Sequence, residues 1–280
     1  MRIASFFGIP LYLHWSWFLM MGLVSVMSGW FSAAIFLAVF LFVLLHEYGH
    51  CFAARCYGLE VTDVTLYPIG GIARIPCLGA ENPWKKELVI ALAGPAVNII
   101  IAAIAILFVV LTGNDIMAES PVSLVVAYTF TLNLILAVFN LLPIFPMDGG
   151  RVLRASLYGI IQDYERSTEI AVRFGQVLAC GMIFLAVMSG NVFMGIIFLL
   201  ICLGAQGELI EVKRQVSLER LKEYLAKRLD NPELKNATLP QLIDILEGMD
   251  NEQLKRDLTL GTLLPMLKQH SESQQNQQSS

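Results

Sequence analysis

Long apolar stretches dominate the first three quarters of the chain. An α-helix needs about 20 mostly apolar residues to cross the hydrocarbon core of a membrane. Six segments have this character, at 11–29, 32–56, 87–112, 122–144, 170–189 and 191–209. Only 15% of the 280 residues are charged, whereas a soluble domain carries about 25%. The sequence therefore predicts an all-α, multi-pass integral membrane protein with about six transmembrane helices.

The basic residues predict how these helices are oriented. Most of the nineteen Lys and Arg residues lie at or between segments two and three, at or between segments four and five, or after residue 210. Cytoplasmic loops are enriched in Lys and Arg, so both termini are predicted to be cytoplasmic. Arg151 and Arg154 are expected to mark this boundary and to pair with lipid phosphates. The chain has no basic patch of the kind that nucleic acid requires.

The remaining polar regions predict smaller elements. Two runs of β-favouring residues flank Pro68 and the pair Gly70-Gly71, which predicts a β-hairpin or small sheet between helices two and three. The edge of such a sheet can pair with an extended peptide. We expect three regions: a membrane core at 1–209, a cytoplasmic helical appendage at 210–270, and a disordered polar tail at 271–280.

The segment His46-Glu47-Tyr48-Gly49-His50 ends an otherwise apolar helix. Histidines four residues apart project from one helix face and can bind one Zn²⁺ ion. Glu47 lies beside the first of them and can act as a general base toward a water molecule activated by zinc. Ionisable groups inside a membrane segment are costly and are usually functional. These residues therefore predict a hydrolytic zinc centre near the cytoplasmic side.

A catalytic zinc normally takes three protein ligands. Asp148 is the strongest candidate for the third, because it is the only acidic residue between Pro121 and Tyr158. Prolines and glycines surround it, so the backbone there is expected to depart from a regular helix. The alternative is an ordinary Asp cap at a helix-terminating turn.

Two further polar residues lie in apolar surroundings. Asn98 on helix three fits either a hydrogen bond between helices or a catalytic role. His14, among aromatic residues at the start of helix one, fits an interfacial residue better than a gate or a proton relay.

The paired motifs resemble those of the site-2 protease family of intramembrane metalloproteases. The resemblance rests on 46–50, on Asn140 through Gly150, and on Ala93-Gly94-Pro95-Ala96-Val97-Asn98. It implies that His46, His50 and Asp148 bind one Zn²⁺ and that Glu47 is catalytic. It implies hydrolysis of peptide bonds within or near transmembrane segments of membrane proteins. It also suggests that Asn140, Gly70 and Gly71 contact the substrate.

The resemblance covers roughly residues 1–210 and is to a compact form, because neither a PDZ-like insertion nor paired CBS domains are recognisable. It is greatest to a subgroup that acts in bacterial or archaeal signalling, so we expect a prokaryotic cell membrane, a transmembrane protein substrate and a regulatory membrane partner. The alternatives are a non-catalytic metal-binding protein that binds transmembrane segments, and a zinc transporter. Glu47 argues against the first, and the scarcity of polar residues in helices five and six argues against the second.

Overall fold

The computed structural model describes residues 1–68, 70–74, 84–113 and 120–228, together with residues 238, 241 and 242. In these parts the chain forms four strands, β1 (Arg2–Phe6), β2 (Ile9–Leu13), β3 (Val64–Tyr67) and β4 (Gly70–Ala73). It also forms six helices, α1 (Trp15–Cys56), α2 (Trp84–Thr112), α3 (Pro121–Asn140), α4 (Asp148–Ile161), α5 (Tyr164–Met188) and α6 (Val192–Arg228). The predicted fold class, a helical membrane protein with a small sheet, is confirmed.

The long helix α1 is a hairpin folded at Gly29. Gly29 has φ 80° and ψ 171°, a conformation that residues with a side chain rarely adopt. The ring of Trp17 lies 5.6 Å from that of Phe40, although a continuous helix would separate the two residues by about 35 Å. The chain therefore reverses at Gly29, and the two arms, 15–28 and 30–56, correspond to the first two predicted transmembrane segments.

Five of the described helices are long and apolar enough to cross a membrane, namely α1, α2, α3, α5 and α6 from Met194. Counting α1 as two arms gives the six predicted segments. The predicted first segment was wrong at its start, because Ile9–Leu13 is a strand rather than a helix. The fourth was too long, because α3 ends at Asn140. The short helix α4 was not predicted.

The sheet has the strand order β1-β2-β3-β4. Strands β3 and β4 form the predicted antiparallel hairpin, with Leu66 opposite Gly71. The sequence analysis missed the other half: β1 and β2 form a second hairpin, and β2 pairs with β3 in parallel. The parallel pair joins residues far apart in sequence and leaves no local signal, whereas the hairpin of β1 and β2 is local and turns at Phe7 and Gly8, with φ 52° and 76°. Within the described residues, β4 is an edge strand of this sheet.

A buried ion cluster fixes α4 in the membrane core. Arg154 donates to Glu87 of α2 at 2.8 Å and to Glu208 of α6 at 2.8 Å. Its guanidinium also lies 5.0 Å from the rings of Phe145 and Tyr164. Arg154 is only 4% exposed, so the expectation that it pairs with lipid phosphates was wrong. A buried cation needs such partners, because an unpaired charge in the interior is strongly destabilising.

The chain divides into two compact units, Met1–Val212 and Lys213–Ser280. Helix α6 continues through the predicted boundary at 209/210 and ends at Arg228. Most of the predicted appendage at 210–270, and all of the predicted tail at 271–280, lie outside the described residues. The predicted division into core, appendage and tail stays a prediction.

Candidate active site

Three predicted ligands meet at one point inside the protein. His46 and His50 lie on the second arm of α1, and Asp148 is the first residue of α4. Nε2 of His46 lies 3.0 Å from Oδ2 of Asp148, and Nε2 of His50 lies 3.2 Å from it. The two Nε2 atoms are 3.1 Å apart. All three side chains are buried, so the cluster is shielded within the protein.

The hydrogen bond made by Nδ1 of each imidazole determines whether Nε2 carries a proton or a lone pair. Nδ1 of His50 lies 2.7 Å from the backbone oxygen of Ile90, and Nδ1 of His46 lies 2.6 Å from Oδ1 of Asn98. An oxygen of this kind only accepts hydrogen bonds, so each Nδ1 carries a proton and donates it. In a neutral imidazole the remaining Nε2 then presents a lone pair. Both lone pairs are thus available to a metal.

This arrangement fits zinc. Two nitrogen lone pairs and a carboxylate oxygen are all acceptors, and at 3.0–3.2 Å from one another they need a cation between them. Four ligands placed tetrahedrally at about 2.0 Å from Zn²⁺ are about 3.3 Å apart. The three protein atoms therefore match one face of a tetrahedral zinc site, with the fourth position left for water or substrate.

Helix α2 approaches the ligands at Gly94. A Cβ atom built on Gly94 would lie 2.2 Å from Nε2 of His50 and 2.7 Å from Nε2 of His46. Real Cβ atoms do not approach other atoms this closely, so only glycine fits here. The same helix supplies the hydrogen-bond partners Ile90 and Asn98. Helix α2 thus orients both imidazoles from one side and closes the site on that side.

Glu47 lies between the histidines and the sheet. Its Oε2 accepts a hydrogen bond from the backbone N–H of Ala73 in β4, at 3.2 Å. A Cβ atom on Gly71 would lie 2.5 Å from Cγ of Glu47. Strand β4 therefore orients the predicted general base, and Gly71 leaves the space that its side chain needs.

The other predicted site residues have simpler surroundings. Asn140 ends α3 and donates to the backbone oxygen of Leu136 at 3.0 Å. Gly70 begins β4 opposite Tyr67. Contact of Asn140, Gly70 or Gly71 with a substrate stays a prediction. His14 caps the start of α1 and stacks on Tyr67 with ring centroids 5.0 Å apart.

Charge partners control the pKa of Arg154 on α4. Burial by itself lowers the pKa of Arg154, but the nearby carboxylates, Glu87 first, hold it above its ordinary value. Arg154 is thus a permanent cation.

The sequence analysis missed several residues that build the site. The backbone of Ile90 acts through an oxygen atom that has no side-chain signal, and Gly94 was noted only within the motif 93–98, without its contact with the histidines. Glu87 and Glu208 did have one: each is an acidic residue in or beside an apolar segment, and such residues usually have a specific role.

Replacing Asp148 with Asn is expected to weaken zinc retention. The amide is neutral and is a poorer ligand than the carboxylate, while its size is nearly the same. We expect the zinc content after dialysis against a chelator to fall well below that of the wild type, measured by atomic absorption on purified protein. The matched control is Asp163→Asn, at the N-cap of α5, which should keep the zinc content of the wild type. An unchanged zinc content in Asp148→Asn would remove Asp148 from the ligand set.

Replacing Gly71 with Ala is expected to slow catalysis without removing zinc. The added methyl group would collide with Cγ of Glu47 and turn the carboxylate away. A misplacement of about 1 Å can cost roughly 100-fold in rate. We expect kcat to fall on this scale while the zinc content stays that of the wild type. A normal kcat in this variant would show that β4 does not orient Glu47.

Comparisons with known proteins find zinc metalloproteases among the similar chains. The family model described as Peptidase family M50 matches residues 34–120 and 111–182. The chain is 37% identical over 240 residues to a zinc metalloprotease, MJ0392, of Methanocaldococcus jannaschii, which covers 82% of this chain and 66% of that protein. It is 34% identical over 190 residues to a putative zinc metalloprotease, sll0528, of Synechocystis sp., which covers 62% of this chain and 48% of that protein.

A solved structure is also similar, the site-2 protease from Methanocaldococcus jannaschii. It matches with a TM-score of 0.56 and 36% identity, over 75% of this chain and 94% of that one. The chain spans about half to two thirds of the length of the first two curated relatives. The matched family model extends over both halves of the ligand cluster and more than half of the sequence. On this evidence the chain belongs to peptidase family M50.

Proposed function

We propose that the protein is a zinc metalloprotease that hydrolyses peptide bonds within or near transmembrane segments of other membrane proteins. The observation that carries this proposal is the buried triangle of His46, His50 and Asp148 with Glu47 beside it. A Zn²⁺ ion at their centre accommodates three such atoms at 3.0–3.2 Å from one another. The similarity to a structure named as a site-2 protease supports the same reaction.

Zinc bound at this cluster supplies Lewis-acid activation of a water molecule and of the scissile carbonyl. Glu47 accepts a proton from the attacking water and later delivers it to the leaving amine, as the new C–O bond forms and the C–N bond breaks. One of its carboxylate oxygens is held by Ala73. Among the described residues the other oxygen has no hydrogen-bond partner, and it is the one suited to proton transfer.

The substrate segment has to be extended when it is cut. In a transmembrane helix the backbone carbonyl groups are hydrogen-bonded within the helix, so local unwinding must precede attack. The edge of β4 lies directly beside Glu47, and an extended segment can pair with such an edge. We infer that β4 holds the unwound segment next to the general base, with Gly70 and Gly71 lying along it. Asn140 remains a further candidate contact.

We infer the orientation of the protein in the membrane from the distribution of its basic residues. The described helices support a multi-pass integral membrane protein, and the distribution of Lys and Arg supports cytoplasmic termini. The same distribution supports a position of the ligand cluster toward the cytoplasmic side, where water is available for hydrolysis. A prokaryotic cell membrane and a regulatory membrane partner are further parts of this proposal.

The proposal is tested by reconstituting the full chain in liposomes with a panel of single-span substrates that carry helix-breaking residues. We expect specific cleavage, read by mass spectrometry, that a zinc chelator stops and added zinc restores. A protein that only binds metal and transmembrane segments would retain zinc and leave every substrate intact. That result would overturn the proteolytic function but not the zinc site.

A further inference from the structure

A second set of buried contacts continues from His46 into α3. Asn98 on α2 and Asn133 on α3 are both fully buried, at 0% exposure. Nδ2 of Asn98 donates to Oδ1 of Asn133 at 2.8 Å, and Nδ2 of Asn133 donates to the backbone oxygen of Thr129 at 2.8 Å. Together with the 2.6 Å contact between Asn98 and His46, these bonds form a continuous chain, the amide relay, across three helices.

The hydrogen bond to Thr129, at the end of the amide relay remote from His46, determines which groups donate and which accept along it. The Thr129 carbonyl oxygen can only accept, so Asn133 must present its NH₂ group to it. The Oδ1 atom of Asn133 then faces Asn98, which must present its own NH₂ group there. This leaves Oδ1 of Asn98 for His46. Reversing either amide would bring two oxygen atoms, or two NH₂ groups, into contact at hydrogen-bond distance.

This direction determines the tautomer of His46. Oδ1 of Asn98 accepts only from a protonated Nδ1, so the proton of the neutral imidazole is held on Nδ1. The lone pair then lies on Nε2, which faces His50 and Asp148. With the opposite tautomer, Nε2 would carry a proton and would not bind a metal. Hydrogen-bond partners of this kind orient metal-binding histidines and raise their affinity for the metal.

The two histidines are held differently. His50 is oriented by the backbone oxygen of Ile90, which no side-chain substitution removes. His46 depends on side chains alone, first Asn98 and then Asn133. A substitution of Asn133 in α3 should therefore affect metal binding only through His46, although Asn133 does not contact His46.

We propose that Asn98 and Asn133 are positioning residues, which hold His46 in the tautomer and orientation that bind zinc, with the Thr129 carbonyl as the fixed end. The inference rests on the proposed zinc site and deepens it, because it extends the metal centre to α3. It also resolves the two roles that the sequence left open for Asn98: the contact between helices is itself the contact that prepares the ligand.

The test is the zinc dissociation constant of the full-length protein, measured in detergent by competition with a chromophoric chelator. Replacing Asn98 with Ala is expected to weaken zinc binding by roughly 10- to 100-fold. Asn133→Ala is expected to weaken it by a smaller factor, on the order of 10-fold. The double variant should bind zinc no more weakly than Asn98→Ala, because Asn133 acts only through Asn98.

Two further variants separate positioning from helix packing. Ser123 is another buried side chain of α3, whose hydroxyl accepts a hydrogen bond from that of Ser120 at 2.8 Å, and Ser123→Ala should leave the zinc dissociation constant unchanged. In Asn98→Asp, the carboxylate still accepts from Nδ1 of His46 but sets an oxygen against Oδ1 of Asn133, so part of the affinity lost in Asn98→Ala should return. If Asn98 were needed only for packing, this buried charge would be at least as harmful as alanine.

The outcomes distinguish this inference from the proposed function. Thermal unfolding of the metal-free proteins identifies variants that remain folded. A folded Asn133→Ala protein with the wild-type zinc dissociation constant would overturn the amide relay and leave the zinc site intact. A wild-type protein that binds no zinc would overturn the proposed function itself.

Discussion

Replacing Glu47 with Gln is expected to abolish proteolysis while zinc remains bound. The amide has nearly the same shape as the carboxylate but cannot accept the proton of the attacking water. General acid–base catalysis contributes roughly 10²- to 10⁴-fold in rate, so we expect kcat to fall by this factor. His46, His50 and Asp148 are unchanged, and the zinc content should stay that of the wild type. The measurement is cleavage of a reconstituted membrane substrate, with metal analysis of the same sample.

The Glu47→Gln variant also separates the enzyme from its main alternative. A protein that only binds metal and transmembrane segments has no need of a carboxylate at this position, and the variant would behave as the wild type does. Equal cleavage by the two proteins would exclude Glu47 as the general base. Loss of zinc together with activity would instead assign Glu47 a role in holding the ligands.

Replacing Gly94 with Ala is expected to weaken zinc binding severely. The new methyl carbon would lie 2.2 Å and 2.7 Å from the ligand nitrogens of His50 and His46. Because these atoms are in α2 and α1, relief requires either the imidazoles to rotate or the helices to separate. Loss of a hydrogen-bond partner of a ligand already costs roughly 10- to 100-fold in metal affinity. Displacing two ligands should cost more than about 100-fold, measured by competition with a chelator.

A matched glycine controls for the effect of an added methyl group. Gly181 lies within α5, and a Cβ built there has nothing within 4 Å. Gly181→Ala should therefore keep the zinc affinity and activity of the wild type. Wild-type zinc binding by Gly94→Ala would show that α2 does not approach the ligands as closely as described.

The sequence was sufficient to predict the chemistry and the general class of the fold. Apolar segments of about 20 residues admit few structures in a membrane, because every backbone polar group must be satisfied within the segment or the protein. His46, Glu47 and His50 are adjacent on one helix, so their spacing alone brings them together. Asp148 was singled out because acidic residues are rare in its surroundings. These signals are local in sequence or follow from the cost of placing charge in lipid.

Several other features depend on the folded protein. The pairing of β2 with β3 and the partners of Arg154 involve residues far apart in sequence. Ile90 and Thr129 act through backbone oxygen atoms, which produce no residue pattern. The motif 93–98 includes Gly94 but does not by itself reveal its contact with the histidines.

The zinc-binding motif on the second arm of α1 was therefore determined by the sequence itself, because one turn of helix aligns its histidines. Only the tertiary structure decided the position of Asp148, the hydrogen-bond partners of both imidazoles and the contact of β4 with Glu47. The physical reason is that metal geometry and tautomer depend on distances between atoms of different helices. Those distances are set by packing, and packing is not encoded in any single segment.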